Sequence, residues 1–210
     1  MADELHTRLI EPEWAEQLEA LERRCFPSIP PDELYNAAML RNLAIDFPEG
    51  NYVVFAGDEP VAMGLGVRVD FDIDNYQHTW DDLFGKTEES GDNPAGEWYY
   101  GTDISVDPAY RRRGIGRDLY ERRKQVCRDL NLRGIIAGGV IPGYAEHKHE
   151  MSAATYVEKV VAGELYDGTL SFQLENGFEA RGVLAGYLED PTTDSWASFI
   201  VWPNPDFVAH

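Results

Sequence analysis

Lysine is the scarcest charged residue in this sequence. Four of the 18 basic residues in the 210-residue chain are lysine, against 38 aspartates and glutamates, and the formal charge is −20. That balance excludes nucleic acid and anionic lipid as principal partners, because both would be repelled. Cysteine is almost absent. Cys25 and Cys127 are the full set, too few for a disulfide framework and not spaced as a Cys-x-x-Cys pair. No apolar run approaches the ~20 residues that span a membrane, so no membrane attachment is expected. Met1-Ala2-Asp3-Glu4-Leu5 lacks the apolar stretch of a secretory leader. A reducing cytoplasm is the expected location.

What is present points to a folded protein. Apolar residues make up 43% and aromatics 12%, more than a disordered acidic chain carries. The length suffices to bury a core without staples. No repeat or low-complexity tract divides the chain, so residues 1–210 are expected to form one domain. Arginine in place of lysine beside so many carboxylates has two readings. One is adaptation to a salty cytoplasm, where screening tolerates self-repulsion. The other is an ordinary acidic protein from a GC-rich genome.

Apolar spacing predicts helices over 12–25, with Pro12 in the first turn, and over 32–45. Strand-like residues 51–56 and 61–71, joined by Gly57-Asp58-Glu59-Pro60, predict a hairpin. Residues 72–96 form a long excursion anchored by Tyr76, Trp80, Leu83 and Phe84. A strand over 98–106, a helix over 115–130 and a buried strand over 134–141 follow. Ser152 suits the N-cap of a helix ending near Gly163. A short helix over 170–176 closes on Gly177, and strands are expected at 183–188 and 196–202. Helices, a hairpin, then strand–helix–strand and further strands make an α/β chain with a mixed sheet.

The stretch that carries chemistry is Ile104-Ser105-Val106-Asp107-Pro108-Ala109-Tyr110-Arg111-Arg112-Arg113-Gly114-Ile115-Gly116-Arg117. A strand runs into a glycine-containing turn that opens a helix. Free N–H groups at a helix start attract phosphate. From Arg111 to Arg128 there are eight basic residues and two acidic ones, a concentration that fits a small polyanionic ligand. A Walker A loop would need Gly-Lys-Ser/Thr, which is absent. A dinucleotide fingerprint would need a third glycine where Leu119 stands.

Val106-x-Pro108 followed by Arg111-x-x-Gly114-x-Gly116, with Asn176-Gly177-Phe178-Glu179 downstream, resembles the GCN5-related N-acetyltransferase (GNAT) family. The resemblance spans the chain. Gln77-His78-Thr79-Trp80-Asp81, Glu97-Trp98-Tyr99-Tyr100-Gly101, Ile141-Pro142-Gly143-Tyr144, Tyr156-Val157-Glu158-Lys159-Val160 and Leu170-Ser171-Phe172-Gln173-Leu174 resemble a branch found alone or fused to a carbon–nitrogen hydrolase (nitrilase-type) domain. With the sequence ending at His210, such a hydrolase is expected to be a separate protein.

The resemblance implies the GNAT acyl-CoA N-acyltransferase fold: a central twisted mixed sheet, helices on both faces and a splayed parallel strand pair. Residues 72–96 and 144–169 are then insertions bordering an acceptor site. It also implies acetyl-CoA as cosubstrate. The coenzyme would lie against Ile104, Ser105 and Val106, with its pyrophosphate at Arg111, Arg112, Arg113, Gly114, Ile115, Gly116 and Arg117. The activity implied is acetyl transfer to a primary amine of a small molecule or protein, by direct attack in a ternary complex. No metal is implied, and a homodimer is left open.

The sequence departs from the family at the acid. Gln173 stands where a tyrosine is usual, and glutamine is no Brønsted acid at neutral pH. Tyr144 is the first replacement candidate and Tyr166 the second. Asp103 is the base candidate, or else a carboxylate that orients the ammonium group; Glu97 and Glu150 rank behind it. His147, His149 and Glu150 do not match a zinc spacing. His78 and Cys127 read as structural. Asp70, Asp72, Asp74, Asp81 and Asp82 would attract a cationic amine or simply add surface acidity. A non-catalytic acyl-CoA-binding module is the competing reading.

Overall fold

The computed structural model describes residues 4–27, 29–85 and 89–209. Met1–Asp3, part of the leader reading, lie outside it, as do residues 86–88 of the excursion and the final His210. Seven strands form one sheet in the order β1-β2-β3-β4-β5-β7-β6. They are β1 (Leu5–Leu9), β2 (Tyr52–Ala56), β3 (Glu59–Val69), β4 (Trp98–Val106), β5 (Gly134–Val140), β6 (Glu179–Leu184) and β7 (Ala197–Pro203). The helices are α1 (Ala15–Cys25), α2 (Ala37–Asp46), α3 (Trp80–Phe84), α4 (Ile115–Asp129), α5 (Ala153–Val161) and α6 (Leu170–Glu175). This is the mixed sheet with helices that the resemblance implies. No helix among the described residues is long and apolar enough to cross a membrane.

Two layers of helix cover the sheet. Leu18 and Leu21 of α1 and Leu40 and Leu43 of α2 pack with Leu65, Tyr100, Ile136 and Phe199 on one face. Tyr120 and Cys127 of α4, Tyr156 of α5 and Leu170 of α6 pack with Tyr99, Ile135 and Ile200 on the other. Neighbouring strand residues therefore serve opposite cores, as the pleat requires.

Several boundaries differ from those the spacing predicts. α2 starts at Ala37 because Asn36 caps it, accepting from the Ala38 and Met39 amides at 2.9 and 3.0 Å. Ser152 caps α5 through the Thr155 amide, and Gly163 (φ 73°) follows its end. The strand expected at 183–188 lies at 179–184, since Gly186 takes φ 63° and turns the chain there. β1 has no counterpart among the elements the apolar pattern predicts. In the excursion, Tyr76 stacks on Phe199 at 4.9 Å and Trp80 contacts Phe84 at 4.5 Å. Those rings seal the edge of the first core.

Candidate active site

β4 and β5 are the parallel pair. They register at two positions, Tyr99 with Ile135 and Tyr100 with Ile136. Beyond those pairs they diverge and leave a cleft in the sheet. On the other side of β4, Leu65 registers with Asp103 but Gly66 with Gly101, so Thr102 is an extra residue. A bulge of this kind leaves backbone groups outside the ladder and re-aims side chains. It puts Asp103 and Ser105 on the same face as Tyr100, toward α1.

Buried Arg123 of α4 (3% exposed) supports the bulge from the opposite face. Its guanidinium donates to the Leu65 and Asp103 carbonyls. Gly101 makes room for it, since a Cβ there would lie 3.0 Å from Nη1.

The Asp103 side chain meets an unforeseen partner. Ser105 Oγ lies 2.6 Å from Asp103 Oδ2 and 2.8 Å from Oε2 of Glu22, a residue of α1 that is 3% exposed. One hydroxyl proton cannot serve two carboxylates. One carboxyl must hold a proton of its own and donate it to the serine oxygen. Both acids are shifted accordingly. Burial, then the negative charge of Asp103, push Glu22 well above the carboxylate range. Burial pushes Asp103 up to about 6, against the pull of Ser105 and Arg123. Two interacting groups of this kind titrate as a pair.

Glu22 carried a sequence signal. Leu18, Leu21 and Cys25 mark the buried stripe of α1, and Glu22 sits on that stripe four residues after Leu18. A carboxylate in an apolar stripe is expected to have a buried partner.

β4 ends in the arginine-rich turn. Asp107 accepts from the Ala109 amide, and Arg24 of α1 holds its other oxygen at 3.1 Å. Arg112 and Gly114 take positive φ of 62° and 84°. No side chain caps α4, whose N-cap is Gly114. Its first-turn N–H groups are thus open to an anion. Arg111, Arg112, Arg113 and Arg117 are exposed around it. Arg111 folds back on the Val106 carbonyl at 3.1 Å, and Arg113 lies over the Tyr110 ring at 4.7 Å. The two glycines differ in role. Gly114 provides the left-handed turn, with nothing near a would-be Cβ. Gly116 lets Phe172 of α6 approach, at 3.1 Å from that Cβ. Ile115 is buried.

Tyr144 is 4% exposed and donates its hydroxyl proton to the Met151 carbonyl at 3.1 Å. It belongs to the α4–α6 core, on the face opposite Glu22 and Ser105. Its proton is already engaged, so the structure does not bring it together with Asp103. Tyr166 is 74% exposed. Gln173 is buried, with its amide against Gly139 of β5. His147 lies 3.7 Å from Glu150. Among the described residues, no group of three or more His, Cys, Asp or Glu could hold a metal. Cys127 points its thiol at the Gly134 carbonyl.

Near Tyr187 a cavity of about 290 Å³ is lined by Trp80, Asp81, Glu33 and Glu189 among others. Of Asp70, Asp72, Asp74, Asp81 and Asp82, Asp81 lines it. Asp82 instead closes a capping box with Thr79, and Asp72 caps the Asp74 amide.

A family model described as "Acetyltransferase (GNAT) family" matches residues 15–147. The chain belongs to the GNAT acetyltransferase family. It is 36% identical over 202 residues to the "Probable hydrolase YhcX" of Bacillus subtilis, covering 96% of this chain and 39% of that protein. It thus spans well under half of that relative. It is 33% identical over 190 residues to the "Uncharacterized N-acetyltransferase YkwB" of the same organism, covering 90% of this chain and 84% of the other. Solved structures share the fold. The loading GNATL domain of CurA from Lyngbya majuscula superposes with a TM-score of 0.83 at 18% identity, covering 96% and 98% of the two chains. The GphF GNAT-like decarboxylase, in complex with isobutyryl-CoA, gives 0.78 at 21% identity, covering 95% and 99%.

Proposed function

We propose that this GNAT protein is an acetyl-CoA-dependent N-acetyltransferase acting on a primary amine of a small molecule or protein. The observation that carries the reading is the pairing of β4 and β5. Two registered pairs followed by divergence open a slot in the sheet, and the uncapped start of α4 stands at its outer end. That geometry fits coenzyme A: diphosphate at the amides of 112–117, pantetheine along Ile104–Val106, and the reacting end at the bulge. Acetyl-CoA supplies the activated acyl carbon.

The chain's own residues do the rest. A backbone N–H freed by the Thr102 bulge can donate to the developing oxyanion. Asp103, its carboxyl pushed up to about 6 by burial, takes a proton from the incoming ammonium group. Arg123 holds the bulge in place. A cytoplasmic location accords with this chemistry.

Coenzyme A release against a pool of amines tests the reading, beside thermal melts with and without acetyl-CoA. A ligand at ~100 times its Kd stabilises the native state by about 2.7 kcal/mol. Arg113→Glu should abolish that shift. A shift without coenzyme A release from any amine would favour the second reading, a non-catalytic acyl-CoA-binding module beside a carbon–nitrogen hydrolase. Gln173 in the usual tyrosine position and the partial match to YhcX favour that second reading.

A further inference from the structure

His78, which reads as structural in the sequence, ends a chain of hydrogen bonds. Its Nδ1 lies 2.7 Å from the Tyr76 carbonyl and its Nε2 lies 2.8 Å from the Tyr100 hydroxyl. The Tyr100 hydroxyl lies 2.9 Å from that of Tyr187. A carbonyl only accepts, so Nδ1 carries the proton of the neutral ring and Nε2 is a lone pair. Tyr100 must then donate to His78, and Tyr187 must donate to Tyr100. The far end of the chain is the Tyr187 oxygen, with its proton turned inward.

That oxygen belongs to a residue at the cleft. Tyr100 is the last β4 residue paired with β5. The Tyr187 ring covers Gly138, two residues past the last pair on β5, where a Cβ would come within 2.2 Å of it. Tyr187 also lines the cavity beside Trp80 and Asp81.

We propose that Tyr187, Tyr100 and His78 form a proton relay that takes a proton from the amine nitrogen and returns it to the departing sulfur, filling the acid role that Gln173 cannot. Tyr187 is the catalytic residue, and Tyr100 and His78 act through it. The inference rests on the acetyl-transfer reading. Over the reaction the nitrogen loses two protons. One leaves through Asp103 to solvent. As the N–C bond forms, the other passes to the Tyr187 oxygen, the Tyr187 proton to Tyr100, and the Tyr100 proton to Nε2. All three hydroxyl and ring protons then point outward. As the C–S bond breaks, the sulfur keeps the electron pair and takes the Tyr187 proton, and the chain resets.

Burial lowers the His78 pKa and disfavours an imidazolium here, so the charged ring is only a passing state. The Tyr76 carbonyl at Nδ1, then the Asp82 carboxylate of α3, partly offset that burial. β4 presents Tyr100 to the ring and the β6–β7 connection presents Tyr187. Phe71 after β3 and Phe199 of β7 contribute uncharged faces.

Free coenzyme A is the probe. Its thiol should give a proton to the relay, so thiolate absorbance in the complex should rise at lower pH than in Tyr187→Phe, by about tenfold in proton concentration or more. The ¹⁵N signals of His78 should show an Nδ1–H ring in the free protein and a second N–H as the thiolate forms. Tyr100→Phe should uncouple the two events while leaving coenzyme A bound. Equal thiol titrations in wild type and Tyr187→Phe, or an Nε2–H ring in the free protein, overturn the relay. Absence of coenzyme A binding in the wild type overturns the coenzyme reading itself and the relay with it.

Discussion

Ser105 sits between two acids, one of which must keep its own proton, and that fixes how the protein should respond to pH. Glu22 and Asp103 are both raised in the folded state. The native protein therefore binds more protons than the unfolded chain above the ordinary carboxylate range near pH 4. The stability these groups contribute is fully present below that range and is lost as pH rises through about 6 and beyond. Glu22→Gln removes one acid and can still donate to Ser105. Its melting temperature relative to wild type should climb between pH 4.5 and pH 8. Each tenfold by which folding tightens the hold of Glu22 on its proton is equivalent to roughly 1.4 kcal/mol of that gain. Parallel melting curves at the two pH values would refute the retained proton. Kinetics give a second expectation. Wild-type turnover should rise along a limb centred near pH 6, and Asp103→Asn should lose that limb together with about 100-fold in kcat. A pH–rate profile of both proteins decides it. Arg123→Met should move the limb to higher pH, because the guanidinium favours the Asp103 anion.

At the scale of elements, β5 is made to be approached from both sides. Gly138 faces Tyr187 and Gly139 faces Gln173. A Cβ on Gly139 would lie 2.7 Å from Gln173 Oε1 and 3.0 Å from Ser198 Oγ. Gly139→Ala should cost about 1–3 kcal/mol by overpacking, readable in a denaturant melt. The helices are legible because their apolar stripes repeat at helical spacing, and β4 because it is flanked by turn residues. β1 is not, since Leu5–Leu9 offers two leucines on a partly exposed edge and no apolar run. For β6 the apolar signal lies in Val183–Leu188, four residues beyond Glu179, where the pairing segment begins. The arginine-rich turn is readable because backbone geometry follows from local residues. Glu22, Arg123 and the Tyr187 chain join residues 22 to 187 through space; the apolar stripe of α1 marks Glu22 as buried, but no local pattern names the partners.

For the whole molecule, the charge of −20 is the dominant long-range term. Many cations are already engaged near carboxylates, as in Arg68–Asp92 at 2.5 Å and Lys148–Asp194 at 2.8 Å. The surplus carboxylates repel one another over distances that salt screens, with a Debye length of ~10 Å at 0.1 M and ~3 Å at 1 M. The melting temperature should rise between low and molar potassium chloride if the protein is built for a salty cytoplasm, and a flat response would favour the GC-rich reading. Residues 5–106 build one half of the sheet and residues 134–203 the other. During synthesis β4 is therefore a bare edge until β5 leaves the ribosome. A bulge and an inward-turned acid are devices that keep such an edge from recruiting another chain. Thr102 and Asp103 thus guard the nascent half-protein at the same place where they shape the cleft of the finished one.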